Sequence, residues 1–307
     1  MARRGRRSAR WRFARTTALT LGGIALLIIA VAAAIHLLGP SNARPPAAES
    51  CSVEVDGRRW LMSPVQADNA ALITAVSLRR TLPARAATIA IATALQESKL
   101  ANVTYGDRDS IGLFQQRPSQ GWGTAEQIMD PVYATGRFYD GLVAIAGYQQ
   151  LPITNAAQQV QRSAFPEAYA QHEALARNWA SALTGWSPGA LTCNLHAPAG
   201  VGSPEAFTAR VVRDLGELPI SVAATTQQEP APILVDARPL GNGTGTVGDD
   251  IRGGWAFAQW AVAAGSGQRV TSVRVADRLW TRASSGWAPS TTAPLAAGTV
   301  EVTVATR

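Results

Sequence analysis

The stretch Thr88-Ile89-Ala90-Ile91-Ala92-Thr93-Ala94-Leu95-Gln96-Glu97-Ser98-Lys99 decides how the chain is read. It closes an Ala-rich run from Pro83 to Lys99 that reads as one helix. A Gly- and Asp-rich loop follows, leading into Ser110-Ile111-Gly112-Leu113-Phe114-Gln115. Stepping back from Glu97 by three, four, seven and eight positions lands on Ala94, Thr93, Ala90 and Ile89. The carboxyl therefore belongs to the apolar, small-residue face at the helix end. Partial desolvation there disfavours the charged form, which is the setting that general-acid chemistry needs. The plainer reading is a Glu capped or ion-paired at a helix terminus, with Lys99 or Arg108 as partner.

Outward from that helix, Ser63-Pro64 supplies a hydroxyl N-cap and a proline at the first helical position. Ala67, Ala71, Val76 and Leu78 continue a helical pattern to Arg80. Further helical runs are expected at Pro131–Ala146, Ala156–Arg162 and Pro166–Leu183, so residues 63–195 should form a mainly α domain. His196 to Pro204 is a linker by composition. Beyond it, a helix at Ala206–Leu215, a strand at Pro232–Asp236, a Gly-rich loop at Gly241–Asp249 and a helix at Trp255–Ala264 are expected. Strands at Val270–Leu279 and Thr299–Thr306 complete a small α/β or α+β domain over 204–307. Trp255 and Trp260, five apart among alanines, read as core in preference to a sugar-stacking platform.

The net charge of +7 belongs entirely to Arg3, Arg4, Arg6, Arg7, Arg10, Arg12 and Arg15, since no acid precedes Glu49 and the remainder is neutral. A basic tail is not a basic face, so no nucleic-acid partner is expected. The tail, 1–16, precedes an apolar run from Ala18 to Leu38. At about 1.5 Å per residue, this run can cross a hydrocarbon core of roughly 30 Å. A transmembrane helix over 17–38 with a cytoplasmic N-terminus follows from the positive-inside rule. The competing reading is a signal peptide cleaved near Ser41-Asn42-Ala43. Under either, the rest is extracytoplasmic, beginning with a linker over 39–62. Cys51 and Cys193, the only cysteines, lie on that side and bracket Glu97, so a disulfide is expected. Three histidines without ligand spacing give no metal site, and no cofactor is expected.

Together, Gln96-Glu97-Ser98-Lys99-Leu100, Gly106, Ser110, Gly112-Leu113-Phe114-Gln115, Asp130-Pro131, Ala134 and Tyr139 resemble the lysozyme-like superfamily. Within it they are most similar to the soluble lytic transglycosylase group related to goose-type lysozymes. The resemblance spans Pro83 to Glu173, under a third of the chain. It implies a mainly α lysozyme-like domain acting on peptidoglycan glycan strands. Glu97 would be the catalytic acid and base on the bond between N-acetylmuramic acid and N-acetylglucosamine, with Ser110, Gly112 and Gln115 lining the groove. A hydrolase would need a second carboxylate roughly 5–10 Å away. Asp107 or Asp109 is the candidate, although Gly-Asp-Arg-Asp-Ser also reads as turn chemistry. The chain departs from the family where a Tyr-Asn-Ala-Gly stretch completes the substrate site. Here Ala157 to Ala164 stands before Phe165-Pro166, with Gln161 and Ser163 as replacement donors. A non-catalytic module that holds peptidoglycan or a protein partner near the membrane is the alternative. Lys99 is the only lysine beside abundant Ala and Arg, which suggests a GC-rich, actinobacterial genome.

Overall fold

The computed structural model describes residues 26–32, 48–163, 166–223, 231–241, 245–284 and 286–306. The chain divides into Met1–Ala48 and Glu49–Arg307. In the first unit, residues 26–32 are helical. The basic tail and most of the expected membrane span lie outside the described residues. Among the described residues no helix is long and apolar enough to cross a membrane.

The second unit is a helical region followed by an antiparallel sheet, an α+β arrangement. It opens on a hairpin, β1 (Ser50–Val55) and β2 (Arg58–Met62), where the linker reading of 39–62 placed no strand. Asp56 and Gly57 both take positive φ (51° and 70°), the mirror-image turn whose twist suits two antiparallel strands. β3 (Leu191–Asn194) pairs with the other edge of β1 and sets Cys193 directly opposite Cys51. These two residues form a disulfide across a separation of 142 residues.

Helix α1 (Pro64–Arg79) begins on a capping box between Ser63 and Gln66, as the Ser-Pro signal predicts. α2 (Ala84–Ser98) is buried on every side from Ala86 to Leu95, so alanine's small volume lets neighbours approach all around it. α3 (Ala125–Met129) is a short turn. α4 (Pro131–Val143) starts on Asp130, whose carboxylate accepts from the Val132 amide at 2.9 Å. α5 (Ile153–Gln161), a 3₁₀ segment (Pro166–His172) and α6 (Glu173–Leu183) complete the helical region. The continuous helix expected over Pro166–Leu183 is thus two elements.

After α7 (Pro204–Leu215), the six-stranded sheet runs β4-β5-β9-β6-β7-β8, antiparallel at every described pairing. Its strands are β4 (Ile220–Val222), β5 (Ile233–Asp236), β6 (Val270–Val275), β7 (Arg278–Thr281), β8 (Trp287–Pro289) and β9 (Thr299–Val304). The single strand expected over Val270–Leu279 is instead a hairpin, because Ala276 turns left-handed at φ 48° and folds β7 back on β6. α8 (Val247–Ala263) starts earlier than the Trp255 boundary read from sequence, capped by Thr246. Residues 242–244 of the Gly-rich loop lie outside the described residues.

α8 packs against β6 and β9 on one side and against α1 and α6 on the other. Trp255 and Trp260 are buried in that layer, as their alanine-rich setting implies, and Trp280 is fully buried as well. Gln259, on the same helix, is completely buried and bridges the two regions. Its Oε1 accepts from the Leu191 amide at 2.9 Å, and its Nε2 donates to the Ala182 carbonyl at 2.6 Å. Both ends of the side-chain amide are thereby satisfied inside one continuous core.

Candidate functional site

Two consecutive left-handed residues, Lys99 (φ 56°) and Leu100 (φ 57°), end α2 just beyond Glu97. Neither is glycine, so the turn needs outside support. Helix α1 provides it: Gln66 Nε2 donates to the Lys99 carbonyl at 2.9 Å and Asn69 Nδ2 to the Leu100 carbonyl at 2.8 Å. Ser98 Oγ donates to the Leu113 carbonyl at 2.7 Å, so the residue after Glu97 is tied directly to the Gly-Leu-Phe-Gln turn. Glu-Ser and Gly-Leu-Phe-Gln are thus one structural unit.

Within the turn, the Gly112 amide donates to the Val103 carbonyl at 2.7 Å and the backbone takes φ 79°. A Cβ there would lie 2.9 Å from the Ile128 carbonyl oxygen, so close approach and positive φ both require glycine. Leu113 and Phe114 are fully buried, and Phe114 stacks on Phe138 with ring centroids 4.6 Å apart. Gln115 is half-buried. Its Nε2 donates to the Tyr105 carbonyl at 3.2 Å, and its Oε1 occupies the space that a Gly106 side chain would need. Ser110 is buried beside it.

Glu97 itself is half-buried. Among the described residues neither Lys99 nor Arg108 pairs with it; Arg108 lies 3.9 Å from Asp107. Its partner is Tyr169 of the 3₁₀ segment, whose hydroxyl donates to Glu97 Oε1 at 2.6 Å. Tyr169 is fully buried, and burial first, then the Glu97 carboxylate, pushes its hydroxyl far above the usual tyrosine range. The phenol thus keeps its proton and stays a donor. Gln171 Nε2 and His172 Nε2 both lie 3.1 Å from Gln96 Oε1, docking the same segment onto the helix end.

Tyr169 was not singled out from the sequence: of Tyr169-Ala170-Gln171-His172 only the tyrosine agrees with a Tyr-Asn-Ala-Gly stretch, and a single residue is too weak a signal to mark it. Gln161 sits elsewhere. Its Nε2 donates to the Phe114 carbonyl at 2.7 Å, and it lines an open cavity of about 760 Å³ with Trp122, Arg137 and Arg162. Gln161 therefore approaches the turn from the Phe114 side, and Glu97, Ser110, Gly112 and Gln115 do not line that cavity.

Of the two loop aspartates, Asp109 is clamped. Arg117 Nε donates to Oδ1 at 2.7 Å and the Ser119 amide to Oδ2 at 2.8 Å, holding its carboxyl well below the usual carboxylate range. Asp107 has a side chain 91% exposed, pointing to solvent beside Arg108. The Gly-Asp-Arg-Asp-Ser stretch does turn through its backbone, the Ser110 amide donating to the Asp107 carbonyl at 3.0 Å, while the backbone amide that the Asp109 side chain accepts from, Ser119, lies outside it. Tyr139 is core: fully buried, it donates to the Ile73 carbonyl at 3.0 Å.

The chain matches no protein-family model, and no curated protein matches it in sequence.

Proposed function

We propose that this protein cleaves peptidoglycan glycan strands as a lytic transglycosylase, with residues 63–195 forming a lysozyme-like domain held outside the cytoplasm by an N-terminal span. One observation carries the reading. Glu97, on the resembling motif, receives a 2.6 Å hydrogen bond from a buried tyrosine and is joined through Ser98 to the turn holding Ser110, Gly112 and Gln115. In its acid form, Glu97 would donate a proton to the bridging oxygen between N-acetylmuramic acid and N-acetylglucosamine, and the C–O bond on the muramic side breaks. The sugar's own primary hydroxyl then attacks that carbon and closes an anhydro ring, while the same carboxylate takes the hydroxyl proton. The clamped Asp109 and the solvent-facing Asp107 favour this one-carboxylate route over hydrolysis, which needs a second carboxylate to direct water. The extracytoplasmic placement draws support from the Cys51–Cys193 disulfide.

The test is digestion of purified peptidoglycan by the full chain, with products read by mass spectrometry beside the Glu97→Gln variant. Anhydro-muramic ends from the wild type alone are the expected result. Reducing ends would replace the transglycosylase with a hydrolase. No products, with retained sedimentation on peptidoglycan, would establish a non-catalytic glycan-binding module in its place.

A further inference from the structure

A second cleft shares no lining residue with Glu97, Tyr169 or the Ser110–Gln115 turn. It lies between the α1–α2 turn and the 3₁₀ turn at Arg238–Leu240 and encloses about 390 Å³. Leu78, Leu82 and Leu240 give it an apolar wall, Thr81 and Gln149 add polar groups, and Arg252 of α8 supplies a charge.

Arg252 is 7% exposed, and its hydrogen bonds are incomplete. Nη1 donates to the Thr184 carbonyl at 3.2 Å. Nε and Nη2 are closed to solvent and have no acceptor among the described residues. Buried polar groups in folded proteins are nearly always paired, so two unpaired donors on one guanidinium ask for a cause. These two nitrogens share one edge of the planar group and present parallel N–H bonds, the fork that a carboxylate matches with both oxygens. Asp249 does not fill it: its Oδ1 is 3.8 Å from Nε, beyond hydrogen-bond reach, and its Oδ2 accepts from the Thr246 hydroxyl at 3.2 Å.

Over the guanidinium lies the indole of Trp186, 5.1 Å from ring centroid to Cζ. That indole is 61% exposed, so little on its outer side holds it down. Its placement is built in: Gly185 runs so close to α8 that a Cβ would stand 2.1 Å from the Arg252 carbonyl oxygen. The loop therefore delivers Trp186 onto Arg252.

We propose that this cleft binds a small carboxylate, whose two oxygens take the Nε and Nη2 hydrogens of Arg252 once the Trp186 indole turns outward. The apolar wall holds the ligand's body. The nearby Asp249 charge weighs against multiply charged anions, which selects a single carboxylate over a phosphate. Burial also pulls Arg252 below its usual arginine range, with Asp249 offsetting part of the shift.

The experiment is titration calorimetry on the full chain with acetate, N-acetyl-dialanine, its C-terminal amide and inorganic phosphate, repeated on Arg252→Lys and Trp186→Ala. The acid form of the peptide is expected to bind at least tenfold more tightly than the amide. Arg252→Lys keeps the charge, loses the fork and should weaken it at least tenfold. Trp186→Ala removes the cover and should tighten it threefold or more. Acetate binding as well as the peptide would assign the site to a free acid, and a tenfold preference for the peptide would assign it to a chain end. Equal binding of acid and amide, tighter binding of phosphate, or no carboxylate binding by wild type and Trp186→Ala would overturn the proposal. So would unchanged binding in folded Arg252→Lys or, should that variant fail to fold, in Trp186→Ala. Glycan cleavage is measured alongside and should be unaffected by Trp186→Ala, so the cleft and the Glu97 reading stand or fall separately.

Discussion

The hydroxyl of Tyr169 donates to Oε1 of Glu97 at 2.6 Å, joining residues 72 positions apart. Tyr169 is sealed in the core while Glu97 is half-buried, so the donor is fixed and the carboxylate is held against it. That contact sets the carboxyl's orientation at the end of α2.

Tyr169→Phe removes the donor and leaves the ring. Glycan cleavage should fall by roughly 10- to 100-fold, at or below the low end of what a positioned acid or base contributes. Stability should fall by only about 1 kcal/mol, the usual worth of one hydrogen bond. Rates on purified peptidoglycan beside urea unfolding check both. A variant as active as wild type would remove Tyr169 from the site.

At Gly112, alanine must accept φ 79° and a Cβ 2.9 Å from the Ile128 carbonyl oxygen. The expected cost is about 1–3 kcal/mol for a strained backbone position. Gly121 also has positive φ (79°), but among the described residues its Cβ would meet nothing within 4 Å, so Gly121→Ala should cost less. Comparison of the two denaturation midpoints separates the steric from the conformational part.

Reducing Cys51–Cys193 opens a loop closed across 142 residues. The chain-entropy model gives a loss of about 5 kcal/mol, and β1 should lose its hold on β3. A melting temperature unchanged in reductant would show that the hairpin and the buried core around Val53 suffice without the bridge.

His172 carries a pH dependence. Partial burial lowers its value from the ordinary 6.5, so the unfolded chain binds a proton more readily than the folded one. Its contribution to stability is complete above about pH 6.5. It declines as pH falls from there through the lowered folded value. The Nε2–H that faces Gln96 Oε1 is kept on protonation, so the penalty comes from charging a half-buried ring, and acidification should loosen the segment that carries Tyr169 through that burial. His172→Gln should flatten the pH dependence of the melting temperature between pH 6.5 and 5; a slope equal to wild type would assign the effect to other groups.

Much of the helical part was legible in local order. Ser63-Pro64 starts α1 and Asp130-Pro131 starts α4, because caps and fixed φ angles act over a few residues. The β1–β2 hairpin had its own signs in the alternation Cys51-Ser52-Val53-Glu54-Val55 and the turn pair Asp56-Gly57, within the segment read as linker. The hairpin at Ala276-Asp277 carried no glycine to mark it, so Val270–Leu279 read as one strand.

By itself, then, the sequence determined the apolar α2 with Glu97 at its end and core positions for Trp255 and Trp260. All of these follow from spacing along a single element. Only the tertiary structure decided that Tyr169 meets Glu97, that Gln161 reaches the turn from the Phe114 side, and that Gln259 joins the helical region to the sheet region in one core. Those pairings depend on which surfaces bury each other across 47 to 77 residues of chain, a choice made by packing and hydrogen-bond satisfaction over the whole unit.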